Sequence, residues 1–366
     1  MTSAAPKKAP PTLVLRAVER VRDALAALHR RLVPGHIALL ELQIAGFLSQ
    51  AISAAAELGI ADQLARGRRD AAALAAAVDA DEDGVRRLMR LLVSFGVFAQ
   101  HRDGSYGLTR MSEALRSDGP VTLRDTSLFF GSPYHRNHWT HLTDAVRTGE
   151  AVGPALDGAS FFEYAATHRE IGDLFDRAMT SVSTLSIEPL LAAYDFGRFD
   201  TLVDVGGGRG SLLVEILGRS PDAEGIVFDL PDVVADLDTD LAAHGLTGRC
   251  AAQAGSFFEE VPPGGDAYLL KHILHDWSDA KAEQILRTIH AAMDPSARLL
   301  VIELVLPEHQ RPHPGKFIDL EMLVNTDGGH ERTEAQFREL LARGGFTLLR
   351  TVPTAAPDCV LEARPR

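Results

Sequence analysis

Thr201-Leu202-Val203-Asp204-Val205-Gly206-Gly207-Gly208-Arg209-Gly210 is a short apolar, β-branched run that ends in an acid and passes straight into alternate glycines. The stretch that follows, Ser211-Leu212-Leu213-Val214-Glu215-Ile216-Leu217, has the apolar spacing of a helix. Strand, glycine turn and helix form the nucleotide-binding corner of a doubly wound α/β domain. The glycines allow unusual dihedrals and let a ligand lie against bare backbone. Their order, D-x-G-x-G-x-G, departs from the dinucleotide fingerprint G-x-G-x-x-G, because Ser211 stands where that pattern requires a glycine. Ala223 to Leu230 reads as the next strand, with Asp229 near its carboxyl end. A carboxylate there, somewhat over twenty residues past the glycines, is placed to accept the hydroxyls of an adenosine ribose. Either a nicotinamide or an S-adenosylmethionine enzyme would use it.

Outward from this corner, the 366 residues suit two domains, and 46% hydrophobic content suffices for sizeable cores. The net charge of −13 argues against a general nucleic-acid or anionic-membrane binder. The deficit lies downstream, since residues 1–120 hold about 16 basic and about 13 acidic side chains. Two distant cysteines, Cys250 and Cys359, point to a reducing compartment. Residues 1–36 read as a disordered Ala/Pro/Lys-rich tail, Met1 to Pro11, and an Arg-faced helix stopped by Pro34-Gly35. The most apolar window, Ile37 to Ala61, carries Glu41, Gln43, Ser49, Gln50 and Glu57, so a buried helix is expected and not a membrane span. The protein is expected in the cytoplasm, and apolar residues on more than one face of this helix suggest a second subunit.

Residues 37–119 read as a winged-helix unit: short helices at Asp62–Leu64, Ala71–Val78 and Glu82–Ser94, with Asp79 and Asp81 as caps. Val97–Arg102 and Ser105–Leu108 would then pair about a two-residue Asp103-Gly104 turn. Arg86, Arg87, Arg90 and Arg102 would suit DNA, but the acidic remainder favours a dimerisation and substrate-lid module. Residues 120–195 read as an aromatic helical connector able to wall a cleft for a flat substrate. Trp139, Phe161, Phe162 and Phe175 lie in it, and Met179 and Ser183 close it. From about 196 strands and helices alternate, at Gly265–Lys271, Asp279–Met293 and Arg298–Val305. A final hairpin is expected from Phe346–Val352 and Cys359–Ala363.

Lys271-His272-Ile273-Leu274-His275-Asp276-Trp277-Ser278-Asp279 follows a strand end, where open α/β sheets place their chemistry. Glu303 sits at the centre of the next strand, an odd place for an unpartnered charge. Glu331 follows Gly328-Gly329-His330 and leads into a Thr333-capped helix. A carboxylate behind an imidazole fixes its tautomer and raises its basicity, so His275 with Glu303 and Glu331 forms a base–orienter set. A metal site is the weaker alternative, because His272 and His275 have no third ligand at metal spacing.

These motifs, with Phe228-Asp229-Leu230-Pro231 and Gly328 to Thr333, together resemble the S-adenosylmethionine-dependent O-methyltransferases of the caffeate, isoflavone and acetylserotonin type, bacterial natural-product members included. The resemblance runs in order from about residue 37. It implies a Rossmann-like α/β methyltransferase domain (196–366) behind an α-rich winged-helix dimerisation domain, acting as a homodimer. It assigns the cofactor to Asp204, Gly206 and Gly208, to Asp229 and Leu230 at the ribose and adenine, and to Ser256 and Phe257. Lys271, Trp277 and Ser183 complete that pocket. Ser256 stands where many plant members carry an acid. His275 matches the general base and Asp276 a substrate-orienting acid. Met322, Leu323, Asn325 and Thr326 align with substrate contacts. The implied reaction is metal-free methylation of a phenol or polyketide-like hydroxyl, releasing S-adenosylhomocysteine. C-methylation, a non-methylating use of the cofactor and a ligand-responsive winged-helix regulator stay open.

Overall fold

A computed structural model describes residues 12–366. The Met1–Pro11 tail, expected to be disordered, lies outside the described residues. Two compact units divide the chain. One comprises Ala24–Thr140 and Tyr164–Ser183, and the other the residues up to Asp23 with His141–Glu163 and Thr184–Arg366. The stretch 120–195 is therefore shared between both units.

After α1 (Thr12–Arg31), the first unit opens with α2 (Gly35–Glu57), α3 (Ile60–Ala65), α4 (Ala71–Ala77) and α5 (Glu82–Ser94). Asp81 caps α5 by accepting from Gly84 N–H at 2.8 Å. Asp79 is no N-cap. It ends α4 in the left-handed region (φ 51°), with Ala80 N–H reaching back to the Ala75 carbonyl, while Asp70 caps the start of α4. Strands β1 (Phe98–Gln100) and β2 (Tyr106–Leu108) pair antiparallel, Gln100 opposite Tyr106. The expected two-residue turn is corrected: His101 N–H donates to Ser105 O at 2.8 Å, and Gly104 takes φ 86° behind a turn. Asp103 is spent on accepting from Ser105 N–H, so the loop takes the longer three-residue form. Ile60, Leu74, Met89, Leu92 and Phe98 fill the core.

Within one protomer α2 is only partly buried. Ala38, Ser53, Ala55 and Ala56 are buried, but Leu39, Leu40, Leu42 and Phe47 stand 51–72% exposed. By length and composition this helix could cross a membrane, the one such helix among the described residues. The helices α6 (Arg124–Gly131) and α7 (Pro133–Thr140) follow, and Gly131 lets α6 lie directly on Ser53 of α2.

The other unit takes α8 (Leu142–Thr148) and α9 (Gly153–Leu156). Both α10 (Phe161–Thr167) and α11 (Arg169–Ala193) run across the boundary. Its sheet begins with β3 (Thr201–Val205), then α12 (Ser211–Arg219), β4 (Glu224–Asp229), α13 (Pro231–Val234), α14 (Leu237–Ala243) and β5 (Cys250–Ala254). It continues through β6 (Ala267–Lys271), α15 (Asp279–Ala292), β7 (Arg298–Leu306), α16 (Pro314–Asn325), β8 (Arg332–Thr333), α17 (Glu334–Arg343), β9 (Phe346–Pro353) and β10 (Asp358–Pro365). The strand order is β5-β4-β3-β6-β7-β10-β9, with β8 pairing β7. All pairs are parallel except those of β10, which slots antiparallel between β7 and β9. The continuous apolar runs of β3, β6 and β7 follow from burial on both faces by helices. The order reverses between β3 and β6, so the ligand crevice opens at the carboxyl ends of these two strands.

Candidate active site

At the end of β3, Gly206 adopts φ 72° and its N–H donates to the Phe228 carbonyl at 2.8 Å. A Cβ there would stand 2.5 Å from Cδ1 of Ile273, so only glycine admits this close packing. Gly208 N–H donates to Asp229 Oδ2 at 2.8 Å, and Leu230 N–H to Oδ1 at 2.7 Å. The β4 carboxylate is thereby aimed before any ligand arrives, and open space lies beyond Gly208. Asp204 is buried under Gly207, and burial pushes its carboxyl up to about 7 against the pull of Lys271. Burial likewise lowers Lys271, opposed by Asp358, Asp204 and Glu303. Phe257 and Phe258 meet the Trp277 ring edge-on, Phe258 at 4.8 Å, and Ser256 accepts from Phe258 N–H at 3.3 Å. Leu230 is exposed. Backbone turn, aimed carboxylate, hydroxyl and aromatic wall suit a nucleoside with a charged tail.

A single 3₁₀ turn, Leu274–Asp276, leaves β6 and carries His275, which is buried. Its Nδ1 lies 2.8 Å from Glu331 Oε1 and 3.8 Å from Glu303 Oε2, and its Nε2 lies 3.5 Å from Asp276 Oδ1. A carboxylate facing Nδ1 places the neutral ring's proton there and leaves Nε2 as the acceptor. Glu303 reaches from β7, its Oε1 accepting N–H bonds from Ile273 (3.1 Å) and Leu274 (2.9 Å). Burial opposes charge on His275, but Glu303, Asp276 and Glu331 outweigh it and push the imidazole up to about 10. Burial pushes Glu303 up to about 8 and Asp276 up to about 6. The expectation that no third ligand exists near His275 fails in three dimensions. His275, Glu303 and Glu331 offer atoms within 4.8 Å of one another, near enough to admit a cation, and one oxygen of each glutamate has no hydrogen-bond partner.

The Gly328–Thr333 segment reaches the base because it has no side chains in the way. A Cβ on Gly329 would lie 2.5 Å from the His275 carbonyl oxygen, and one on Gly328 would lie 2.8 Å from Ser278 Cβ. Two residues of this region escaped sequence reasoning. Asp319 of α16 accepts from Glu331 N–H at 2.9 Å. Arg332, fully buried, donates to the carbonyls of Leu274 (2.7 Å) and Trp277 (2.9 Å) and to Asp279 (2.9 and 3.0 Å). Its guanidinium thus holds both ends of the turn that carries His275. The one sequence cue was its place beside Glu331 in a motif read only for its acid.

The expected substrate residues divide between units. Phe161 is buried, and the exposed Phe162 stacks on Trp277 at 5.7 Å and 21°. On α16, Met322 and Asn325 are buried and Leu323 is half-buried, and Asn325 donates to Glu321 Oε1 at 2.8 Å. Thr326, just past the helix, donates to the Met322 carbonyl at 2.7 Å. Trp139, Phe175, Met179 and Ser183 all belong to the other unit, where Phe175 packs edge-on against Phe129 at 5.5 Å.

A family model described as an O-methyltransferase domain matches residues 139–347, and one described as an O-methyltransferase dimerisation domain matches residues 40–118. Phenazine O-methyltransferase PhzM of Lysobacter antibioticus is 38% identical over 333 residues, covering 91% of this chain and 97% of that protein. The 8-amino-8-demethylriboflavin N,N-dimethyltransferase of Streptomyces davaonensis is 37% identical over 315 residues, 85% of this chain and 90% of that protein. Among solved structures, an O-methyltransferase of neocarzinostatin biosynthesis, in complex with S-adenosylmethionine and 2-hydroxy-5-methyl naphthoic acid, superposes with TM-score 0.74. It shares 33% identity over 87% of this chain and 96% of that one.

Proposed function

Because this chain belongs to the O-methyltransferase family, we propose that it transfers the methyl group of S-adenosylmethionine to a hydroxyl of a small aromatic metabolite, with His275 as general base. The observation that carries this assignment is the buried His275–Glu331 pair at a strand end beside the glycine turn. When bound, the cofactor supplies a methyl already activated on a sulfonium. The protein therefore has to hold the acceptor oxygen in line and remove its proton. Nε2 of His275 takes that proton, while Glu331 at Nδ1 and Glu303 behind it stabilise the imidazolium. Gly206, Gly208 and Asp229 hold the cofactor, with Asp204, Leu230, Ser256, Phe257, Lys271 and Trp277 around it. Asp276 orients the acceptor, and Phe161 and Phe162, the latter stacked on Trp277, shape an apolar wall that excludes water.

Oxygen is favoured over nitrogen as the acceptor, even though one relative is an N,N-dimethyltransferase, because an oriented base matters most for a hydroxyl. The match to a dimerisation domain and the exposed apolar residues of α2 support a homodimer, with α2 against a second copy and not in a lipid bilayer. The net charge of −13 disfavours nucleic acid as a partner. His275→Ala should lower kcat by about 10²- to 10⁴-fold while leaving cofactor affinity in place. Near wild-type methylation of a phenol at neutral pH by that variant would overturn the assignment. The His275–Glu303–Glu331 donor set raises a metal as the rival, so chelation should leave the rate unchanged. A rate abolished by chelator and restored by a divalent ion would favour the metal.

A further inference from the structure

His272 and Asp79 are the only non-glycine positions with positive φ among the described residues, and His272 (φ 53°) stands between the cofactor turn and His275. This left-handed residue ends β6 and reverses the chain, and two consequences follow on the next residues. Ile273 is laid against Gly206, and the N–H groups of Ile273 and Leu274 are delivered to Glu303 Oε1. An L-residue other than glycine adopts this conformation at an energetic cost, so something must hold it. The His272 ring Nε2–H donates to Asp358 Oδ1 at 2.7 Å, and the Ser186 hydroxyl of α11 donates to the same carboxylate. Asp358 is 3% exposed at the first residue of β10, beside β7. The His272 and His275 rings lie 5.5 Å apart, with no hydrogen bond between them. His272 is therefore not part of the proton path. Its bond goes to Asp358 of β10, beside the carboxyl end of β7, and not to His275.

We propose that His272 and Asp358 are a positioning pair, whose buried bond holds the reversed turn that sets the cofactor glycine and the base in register. This rests on His275 being the base and adds which residues align it. The test uses the full-length protein with S-adenosylhomocysteine, so neither readout depends on turnover. Calorimetry gives the dissociation constant, and ¹⁵N-histidine spectra followed into the alkaline range, with His275 assigned from His275→Gln, report its tautomer once the ring is neutral. His272→Ala and Asp358→Ala should each weaken S-adenosylhomocysteine about tenfold and shift His275 from one dominant tautomer towards an average of two. The double variant should be no worse than either single one, as expected for one shared bond. His272→Gln, whose amide nitrogen overlays Nε2 and can still donate to Asp358, should recover more of the loss than His272→Asn, which tolerates positive φ but is too short to reach it. Asp358→Asn, nearly isosteric with a neutral acceptor, should fall in between, and it decides the matter if the alanine variants do not fold. Lower melting temperatures with wild-type affinity and an unchanged His275 spectrum would reduce the pair to a scaffold and overturn the proposal. Full methyl transfer by His275→Ala would instead sink the base assignment and leave these two readouts where they stand.

Discussion

At the scale of single residues, His275 begins with its proton on. Three carboxylates raise its affinity for a proton well above that of an ordinary imidazole, so the free enzyme must shed that proton before the ring can accept another. A raised base is inactive below its own pKa. The limb of kcat/KM for the cofactor, which reports the free enzyme, should therefore rise with pH and lie above the usual histidine range. Glu303→Gln removes a carboxylate that raises His275, so that limb should move to lower pH. A limb that stays in place would show that Glu303 does not act on the base. Asp229→Ala should weaken S-adenosylmethionine binding by about 1 to 3 kcal/mol, measured by calorimetry, because charge-assisted bonds to the ribose are lost. The acids were legible in sequence because a charge inside an apolar strand, or at a strand end, demands an explanation. Arg332 and Asp358 were not, since each works through a contact with a partner 55 or more residues away. Nothing local marks Asp358, and Arg332 is marked only by its place beside Glu331.

At the scale of elements, periodicity located α2, α12, α15, β7 and the last two strands within a residue or two. These elements are long or continuous apolar runs bounded by clear start and stop signals, which survive in a single sequence. Turns fared worse. Asp103-Gly104 looked like a two-residue hairpin turn, but the local bond from Ser105 to Asp103 outcompeted it. Helix α16 was not foreseen, although four of the expected substrate residues lie on it or just past it. It is a short helix of 12 residues, and its sequence reads only as a set of substrate contacts. The turn bearing His275 is too short to hold itself, and Arg332 supplies bonds that its own backbone lacks. Arg332→Gln should lower the melting temperature and cut kcat by about tenfold or more, because the carbonyls of Leu274 and Trp277 lose a charged donor. Arg332→Lys should recover little, since one ammonium cannot span two carbonyls and Asp279 as a planar fork does. Unchanged kcat in both variants would show that the turn is held by its packing alone.

At the scale of the whole molecule, the exposed side of α2 predicts assembly. Leu40→Glu with Phe47→Glu places two charges on a face that has no cover within one protomer. Sedimentation should report a dimer for the wild type and a monomer for the variant, with no loss of the helical signal. A wild-type monomer at micromolar concentration would contradict the assignment of that face. The sheet carries a different consequence. Strand β10 lies inside the sheet, between β7 and β9, and brings both Asp358 and Glu362, which is gripped by Arg198 and Arg350. During synthesis, the glycine corner, His275 and both glutamates emerge from the ribosome well before residue 358. Until then β7 has a bare edge and the turn at His272 has no anchor. Every reacting group therefore precedes, along the chain, the strand that anchors the turn at His272, and the site is in order only once β10 has joined the sheet.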